Sequence, residues 1–144
     1  LETAISNAGT CKLFGENSFP EADRFVNVGP VSNEPEFENF FNICNRCFVE
    51  SIEKYGKSLG KKKYFWNEIK STYPALFDVL HRIKVYRHSS DHLELNPDVA
   101  KKYKEFWNED TAGVTDFEEQ RFVIQQKLLE AFLSVIQTEI DSIS

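Results

Sequence analysis

From residue 33 onward, apolar residues recur at steps of three and four, the spacing of one face of a helix. Phe37, Phe40, Phe41, Cys44, Cys47, Phe48 and Ile52 form the first such stripe. Asn33, with Glu36 three residues on, predicts the start of this helix through a capping box, and Pro35 suits its first turn. Gly56 and Gly60 predict its end, and Lys57–Lys63 reads as a basic connector. Trp66, Ile69, Tyr73, Leu76, Leu80 and Ile83 make a second stripe. Pro74 interrupts it, which predicts a kink or two helices, with Ser71 or Thr72 capping the second and its run ending near Arg87. His88-Ser89-Ser90-Asp91 are poor helix formers, so the helix is expected to loosen there. Asn96-Pro97 opens another helix carrying Val99, Tyr103, Phe106 and Trp107, and Asn108 to Val114 reads as a loop. Thr115-x-x-Glu118 is a capping box for a last helix bearing Phe122, Leu128, Leu129, Phe132, Val135, Ile136 and Ile140.

Residues 1–32 lack such periodicity. Gly9, Gly15, Pro20, Gly29 and Pro30 punctuate them, while Leu13, Phe14, Phe19, Phe25 and Val26 are scattered apolar anchors. They read as an irregular arm, or the end of a linker, packed across a bundle. No strand, hairpin or repeat pattern stands out. The expected fold is therefore all-α, a four- to five-helix bundle over residues 33–144. At 144 residues one core is expected. The 41% hydrophobic content and 13 phenylalanines argue for a folded globule over a disordered tail. No run approaches the roughly 20 apolar residues of a membrane span, and none resembles a signal peptide. The start at Leu1 and the lack of methionine read as a piece of a longer protein, with Glu139–Ser144 compatible with a natural C-terminus.

Charge narrows the partners. A net charge of −6 excludes tight nucleic-acid binding through bulk electrostatics, so any RNA contact needs a local basic patch. Lys61, Lys62 and Lys63 are candidates, as are Lys101, Lys102 and Lys104, with Arg82, Lys84 and Arg87 nearer the motif below. For Lys61–Lys63 a solvated surface is the blander and heavier reading. The three cysteines, Cys11, Cys44 and Cys47, read as reduced thiols. Cys44-Asn45-Arg46-Cys47 has the spacing of half a zinc site, yet it lies inside an amphipathic helix without a second Cys-x-x-Cys, so buried inert thiols are the better expectation.

The chemistry-bearing run is Tyr86-Arg87-His88-Ser89-Ser90-Asp91-His92. The chain's three histidines, His81, His88 and His92, all lie in or near it. A fixed cation beside a group that titrates near neutrality suits chemistry on a phosphate diester. On an unbroken helix Arg87 and His92 would sit about 140° apart, so their convergence requires a break between them or a second copy of the chain. An unbroken helix would instead bring His81, His88 and His92 near one face, a metal-site reading that the helix-breaking residues disfavour. The bland reading of His81 is a helix-surface residue. For Arg87 it is a pairing with Asp91 or Glu94 that ties the helix end to the next loop. Arg82 and His88 form an overlapping pair at similar spacing.

Arg87-His88-Ser89-Ser90-Asp91-His92 resembles the Arg-x(4–6)-His signature of the HEPN superfamily, whose members place Asn, Asp or His directly after the arginine, as His88 does here. The resemblance covers residues 33–144, with the motif after a long helix and a further helix closing the domain. It implies a helical bundle that acts as a metal-independent endoribonuclease, as a nucleotide-binding or toxin-type module, or as a catalytically silent dimerisation or protein-interaction module. Under the first, the ribose 2′-hydroxyl attacks the adjacent phosphate. Arg87 would stabilise the transition-state charge, His92 would act as general acid or base, and His88 would orient the site or bind the phosphate. The chain is also similar in style to the C-terminal HEPN domain of fungal nuclear RNA endonucleases of transcript quality control, whose nuclease is a separate upstream PIN domain. That similarity implies a nuclear domain that binds RNA, mRNP components or other protein domains, or positions the nuclease, rather than one that cleaves on its own, and the HEPN resemblance adds a homodimer with two motifs facing one cleft. It implies no cofactor and no metal.

Overall fold

The computed structural model describes Phe14, Phe19, residues 28–88 and residues 90–143, without the side chains of 90–92 and 143. The expectations for Cys11, Leu13, Phe25 and Val26 lie outside the described residues. The fold is all-α, with no strand among the described residues.

The first rod comprises α1 (Glu34–Cys44), a π-helical turn π1 (Asn45–Val49) and α2 (Glu50–Ser58). Asn33 caps it: its Oδ1 accepts the Glu36 N–H at 2.9 Å, a device worth about 1 kcal/mol. The Glu36 carboxylate reaches back to accept from the Ser32 hydroxyl at 2.7 Å, and this bond holds its pKa below the ordinary value. In π1 the Glu50 N–H bonds Asn45 O, five residues back. The wider turn lets Cys47, Phe48 and Val49 all enter the core. Cys44 and Cys47 are fully buried and outside any disulfide, and burial pushes the Cys44 thiol well up.

Gly56 does not end this rod, as its residue type had suggested. Tyr64 lies so close to its Cα that a Cβ would overlap the ring, so glycine serves close packing here. Gly60 is the true terminator: at φ +73° it permits a Schellman cap, with Lys61 N–H to Gly56 O and Gly60 N–H to Lys57 O, both 3.0 Å.

A second π-helical turn, π2 (Phe65–Ile69), leads through α3 (Lys70–Thr72) to α4 (Pro74–Tyr86). The break falls at Tyr73, the residue before proline. Neither Ser71 nor Thr72 caps α4. The N-cap is Tyr73, and the Ser71 hydroxyl donates back toward the carbonyls of Asn67 and Glu68. The chain closes with α5 (Ser90–Leu95), α6 (Pro97–Asp110) and α7 (Phe117–Ile143). The cap of α7 is Asp116 rather than Thr115, its Oδ1 accepting from Glu118 N–H at 2.9 Å and Glu119 N–H at 3.1 Å.

Helix α4 is central, packed on α1, π1, α6 and α7. Its Leu76, Val79, Leu80, Ile83 and Tyr86 meet Ile124, Leu128, Phe132, Ile136 and Ile140 of α7 and the phenylalanines of the first rod in one core. On α7 the inward residue is Ile124, while Phe122, expected inside, is 37% exposed. Phe14 and Phe19 are buried anchors: Phe14 meets Tyr55 and Tyr73, and Phe19 meets Phe48 and Phe132. Gln125, almost fully buried, ties the segment before α1 to α7. Its Oε1 accepts Val31 N–H at 2.9 Å and its Nε2 donates to Gly29 O at 3.0 Å. No helix among the described residues is long and apolar enough to cross a membrane.

Candidate functional site

The Arg87 motif lies where the central helix stops. Helix α4 ends at Tyr86, Arg87 is its C-cap, and α5 begins at Ser90. The helix is therefore interrupted between Arg87 and His92. His81, His88 and His92 do not share one helix, which removes the premise of the metal reading, and no cluster of metal-ligating side chains occurs among the described residues. Arg87 is exposed. Among the described residues, Glu94 included, no carboxylate pairs with its guanidinium. The side chains of Asp91 and His92 lie outside the described residues.

His88 turns the other way. It is half-buried, with Nδ1 3.0 Å from Val85 O. It borders a cleft of about 170 Å³ shared with Glu34 and Glu38 of α1 and Arg121 of α7. Two carboxylates there oppose one arginine, so this cleft is a poor seat for a phosphate.

Among the basic residues considered as RNA contacts, Arg82, Lys84, Lys61, Lys62 and Lys63 stand out, and of these Arg82 goes elsewhere. Its guanidinium bonds Asp78 at 2.7 Å, Glu109 at 2.6 Å and Asp110 at 3.3 Å, and sits 4.2 Å from the Phe106 ring centroid. The Tyr86 hydroxyl donates to the same Asp110 at 2.5 Å. Burial first, then that hydrogen bond, pushes the phenol far above its ordinary pKa. Arg82 is thus an internal tie between α4 and α6. Lys102, a further candidate, lies over the same Phe106 ring and 3.5 Å from Glu105.

The other four, Lys61, Lys62, Lys63 and Lys84, gather around Tyr64, Phe65 and Trp66. Lys84 donates to Glu53 at 2.8 Å and lies 4.8 Å from the Phe65 ring centroid. Lys61 pairs with Glu68 at 2.6 Å. Lys61, Lys62 and Lys63, with Lys57, rim a cavity of about 510 Å³ walled by Tyr64, Phe65 and Trp66. Burial, then the nearby Glu68 carboxylate, pushes the Tyr64 hydroxyl up to about 12, so lysines and Glu53 set the charge there. Sequence periodicity placed Trp66 on a buried stripe. The π2 turn, in which Lys70 N–H reaches back to Phe65 O, shifts the phase so that Phe65 and Ile69 face inward and Trp66 is 44% exposed. Lys57 and Trp66 were missed as site residues; the available signal was a set of four lysines followed directly by Tyr64, Phe65 and Trp66 within ten residues.

His81, expected on the helix surface, is half-buried among the rings of Trp66, Phe77 and Phe106, with centroids 5.3–5.4 Å away. Burial, then the charge of Lys102, lowers its pKa.

Comparison with models of known families, with curated proteins and with solved structures found no match. The functional reading therefore rests on the chain's own chemistry.

Proposed function

We propose that this chain is an RNA-directed, HEPN-like domain of an RNA-processing protein, with Arg87, His92 and His88 forming a phosphate-facing site at the end of α4. One observation carries the reading: α4 ends at Tyr86 with Arg87 as its exposed C-cap, and a new helix that includes His92 begins at Ser90. The 140° separation of an unbroken helix is thereby lifted. In this reading Arg87 meets the phosphate, His92 exchanges the proton with the 2′-hydroxyl or leaving oxygen, and His88 holds the turn through its bond to Val85 O. A nuclear place in transcript quality control follows from the family resemblance and is part of this proposal.

A second reading, a silent binding or dimerisation module, is favoured by the acidic cleft beside His88, where Glu34 and Glu38 repel a phosphate. Incubation of labelled single-stranded RNA with the chain in EDTA separates the two. Under the first, cleavage leaves 2′,3′-cyclic phosphate ends, and Arg87→Ala/His92→Ala lowers the rate by about 10² or more, the scale of losing one oxyanion donor. No cleavage by the folded chain overturns the catalytic role and leaves the binding reading.

A further inference from the structure

The cavity at the end of the first rod is a different place from the Arg87 turn and has a sharper chemistry. Four lysines, Lys57, Lys61, Lys62 and Lys63, rim it, against one glutamate, Glu53. That reverses the sign of a chain whose net charge is −6. Lys61 is held by Glu68 and Glu53 by Lys84, whereas among the described residues no carboxylate pairs with Lys57, Lys62 or Lys63. Clustering like charges around a concavity has an electrostatic cost that an anionic ligand relieves.

The floor is aromatic and held in place. Trp66 is wedged edge-on against Phe65, Phe77 and His81 at 5.0–5.6 Å and still exposes 44% of its surface. A large ring fixed by its neighbours and open to solvent is a stacking platform, and a base gains about 1–3 kcal/mol on one. The loop above it is set by backbone geometry: Gly60 at φ +73°, Lys63 at φ +50°, and Tyr64 seated on Gly56. The volume of about 510 Å³ falls within the range of small-molecule pockets.

We infer that this cavity binds a nucleotide, with its base stacked on Trp66 and its phosphate held by Lys57, Lys62 and Lys63. The nucleotide is either free or one unit of a single strand. An acidic peptide would satisfy the lysines but leave the indole unused, so the aromatic floor favours the nucleotide. The inference goes beyond the Arg87 reading and does not depend on it.

The test uses the whole chain with two probes, labelled AMP by equilibrium dialysis and a short labelled oligoadenylate by fluorescence anisotropy. Trp66→Ala is expected to weaken binding about tenfold or more, since 1.4 kcal/mol is tenfold. Lys57→Gln/Lys62→Gln, at exposed positions, is expected to do the same and serves if Trp66→Ala does not fold. Binding of both probes assigns a mononucleotide site, and binding of the oligoadenylate alone assigns a strand site. The inference is overturned if the folded chain binds neither probe. It is also overturned if polyglutamate displaces the probe as well as oligoadenylate does and Trp66→Ala changes nothing. Probe binding that Arg87→Ala/His92→Ala abolishes while Trp66→Ala leaves it intact would place the probe at the Arg87 turn and overturn the inference, so this pocket and the Arg87 site are read separately.

Discussion

Two basic regions flank helix α4, and they handle positive charge in opposite ways. Toward α6, Arg82 is matched by Asp78, Glu109 and Asp110, laid over Phe106 and reinforced by the Tyr86 hydroxyl. Toward α2, Lys57, Lys62 and Lys63 crowd a cavity with one glutamate in its wall. In sequence both look like basic residues near a motif. The difference lies in what the helices bring: α6 delivers two carboxylates to Arg82, while the loop after α2 delivers more lysines. Matched charge holds the fold together, and unmatched charge is what a ligand can use.

The matched side gives the largest expected effect. Arg82→Ala strips three carboxylates of their partner and uncovers Phe106. Breaking a buried pair costs about 3–5 kcal/mol. Asp78 and Glu109 are mostly exposed, while Arg82 and Asp110 keep only 16% and 15% of their side-chain surface, so solvent screens part of the loss. We expect about 2–4 kcal/mol, read as a lower urea midpoint with an unchanged slope. Arg82→Lys is expected to recover only part of it, because an ammonium cannot fork across Asp78, Glu109 and Asp110 at once. If Arg82→Ala stayed within about 0.5 kcal/mol of the parent, the range of an ordinary surface change, the contrast between the two regions would be erased.

His81 sharpens the contrast because it touches both sides, packing on Trp66 and on the Phe106 ring beneath Arg82. Its pKa is lowered from 6.5, first by burial and then by Lys102, with Lys84 and Arg82 acting in the same direction and Asp78 against them. The folded state thus binds fewer protons at this group than the unfolded state. Its contribution to stability is fully present above about pH 6.5 and is lost as the pH falls through the folded value. The difference in urea midpoint between the parent and His81→Phe, which keeps a ring among rings, is expected to be flat above neutrality and to shift against the parent below about pH 6.5. A difference that stays constant from neutral to mildly acidic pH would show that His81 titrates as it does in the unfolded chain.

How much of this was legible depends on whether the cause is local. Asn33 capping Glu36, the break before Pro74 and the end of α4 at Tyr86, just ahead of His88, are decided within four residues, and sequence chemistry reads them directly. On α7 the stripe through Leu128, Phe132, Ile136 and Ile140 was read correctly, and only its first member was missed, Phe122 for Ile124, because which residue opens the inward face is chosen by packing. Trp66 was misplaced because π2 adds a residue to the turn, which keeps Phe65 and Ile69 inward and swings Trp66 out of line with Ile69. Periodicity at 3.6 residues carries no sign of that. Gly56 looked like a terminator because its real partner, Tyr64, lies across a loop. Arg82 could not be separated from Lys84 without knowing that α6 ends beside it. The lysines of residues 57–63 and the aromatics of 64–66 were visible side by side, but only the fold turns them into a cavity.

The unmatched side gives the smallest expected effect on stability and the most selective effect on binding. Lys57→Gln/Lys62→Gln/Lys63→Gln removes three exposed cations that pair with no described carboxylate. Two effects oppose each other: mutual repulsion within a seven-residue stretch is relieved, while a chain already at −6 becomes more negative. Surface changes away from packing stay within about 0.5 kcal/mol, so the urea midpoint is expected to hold, in contrast with Arg82→Ala. Oligoadenylate binding is expected to weaken, and its salt dependence to flatten by about 0.7 in the log–log slope for each phosphate left without a lysine. A variant that loses stability instead would place these lysines in the fold's own electrostatics. The two flanks of α4 would then differ only in how many carboxylates each lysine or arginine can reach.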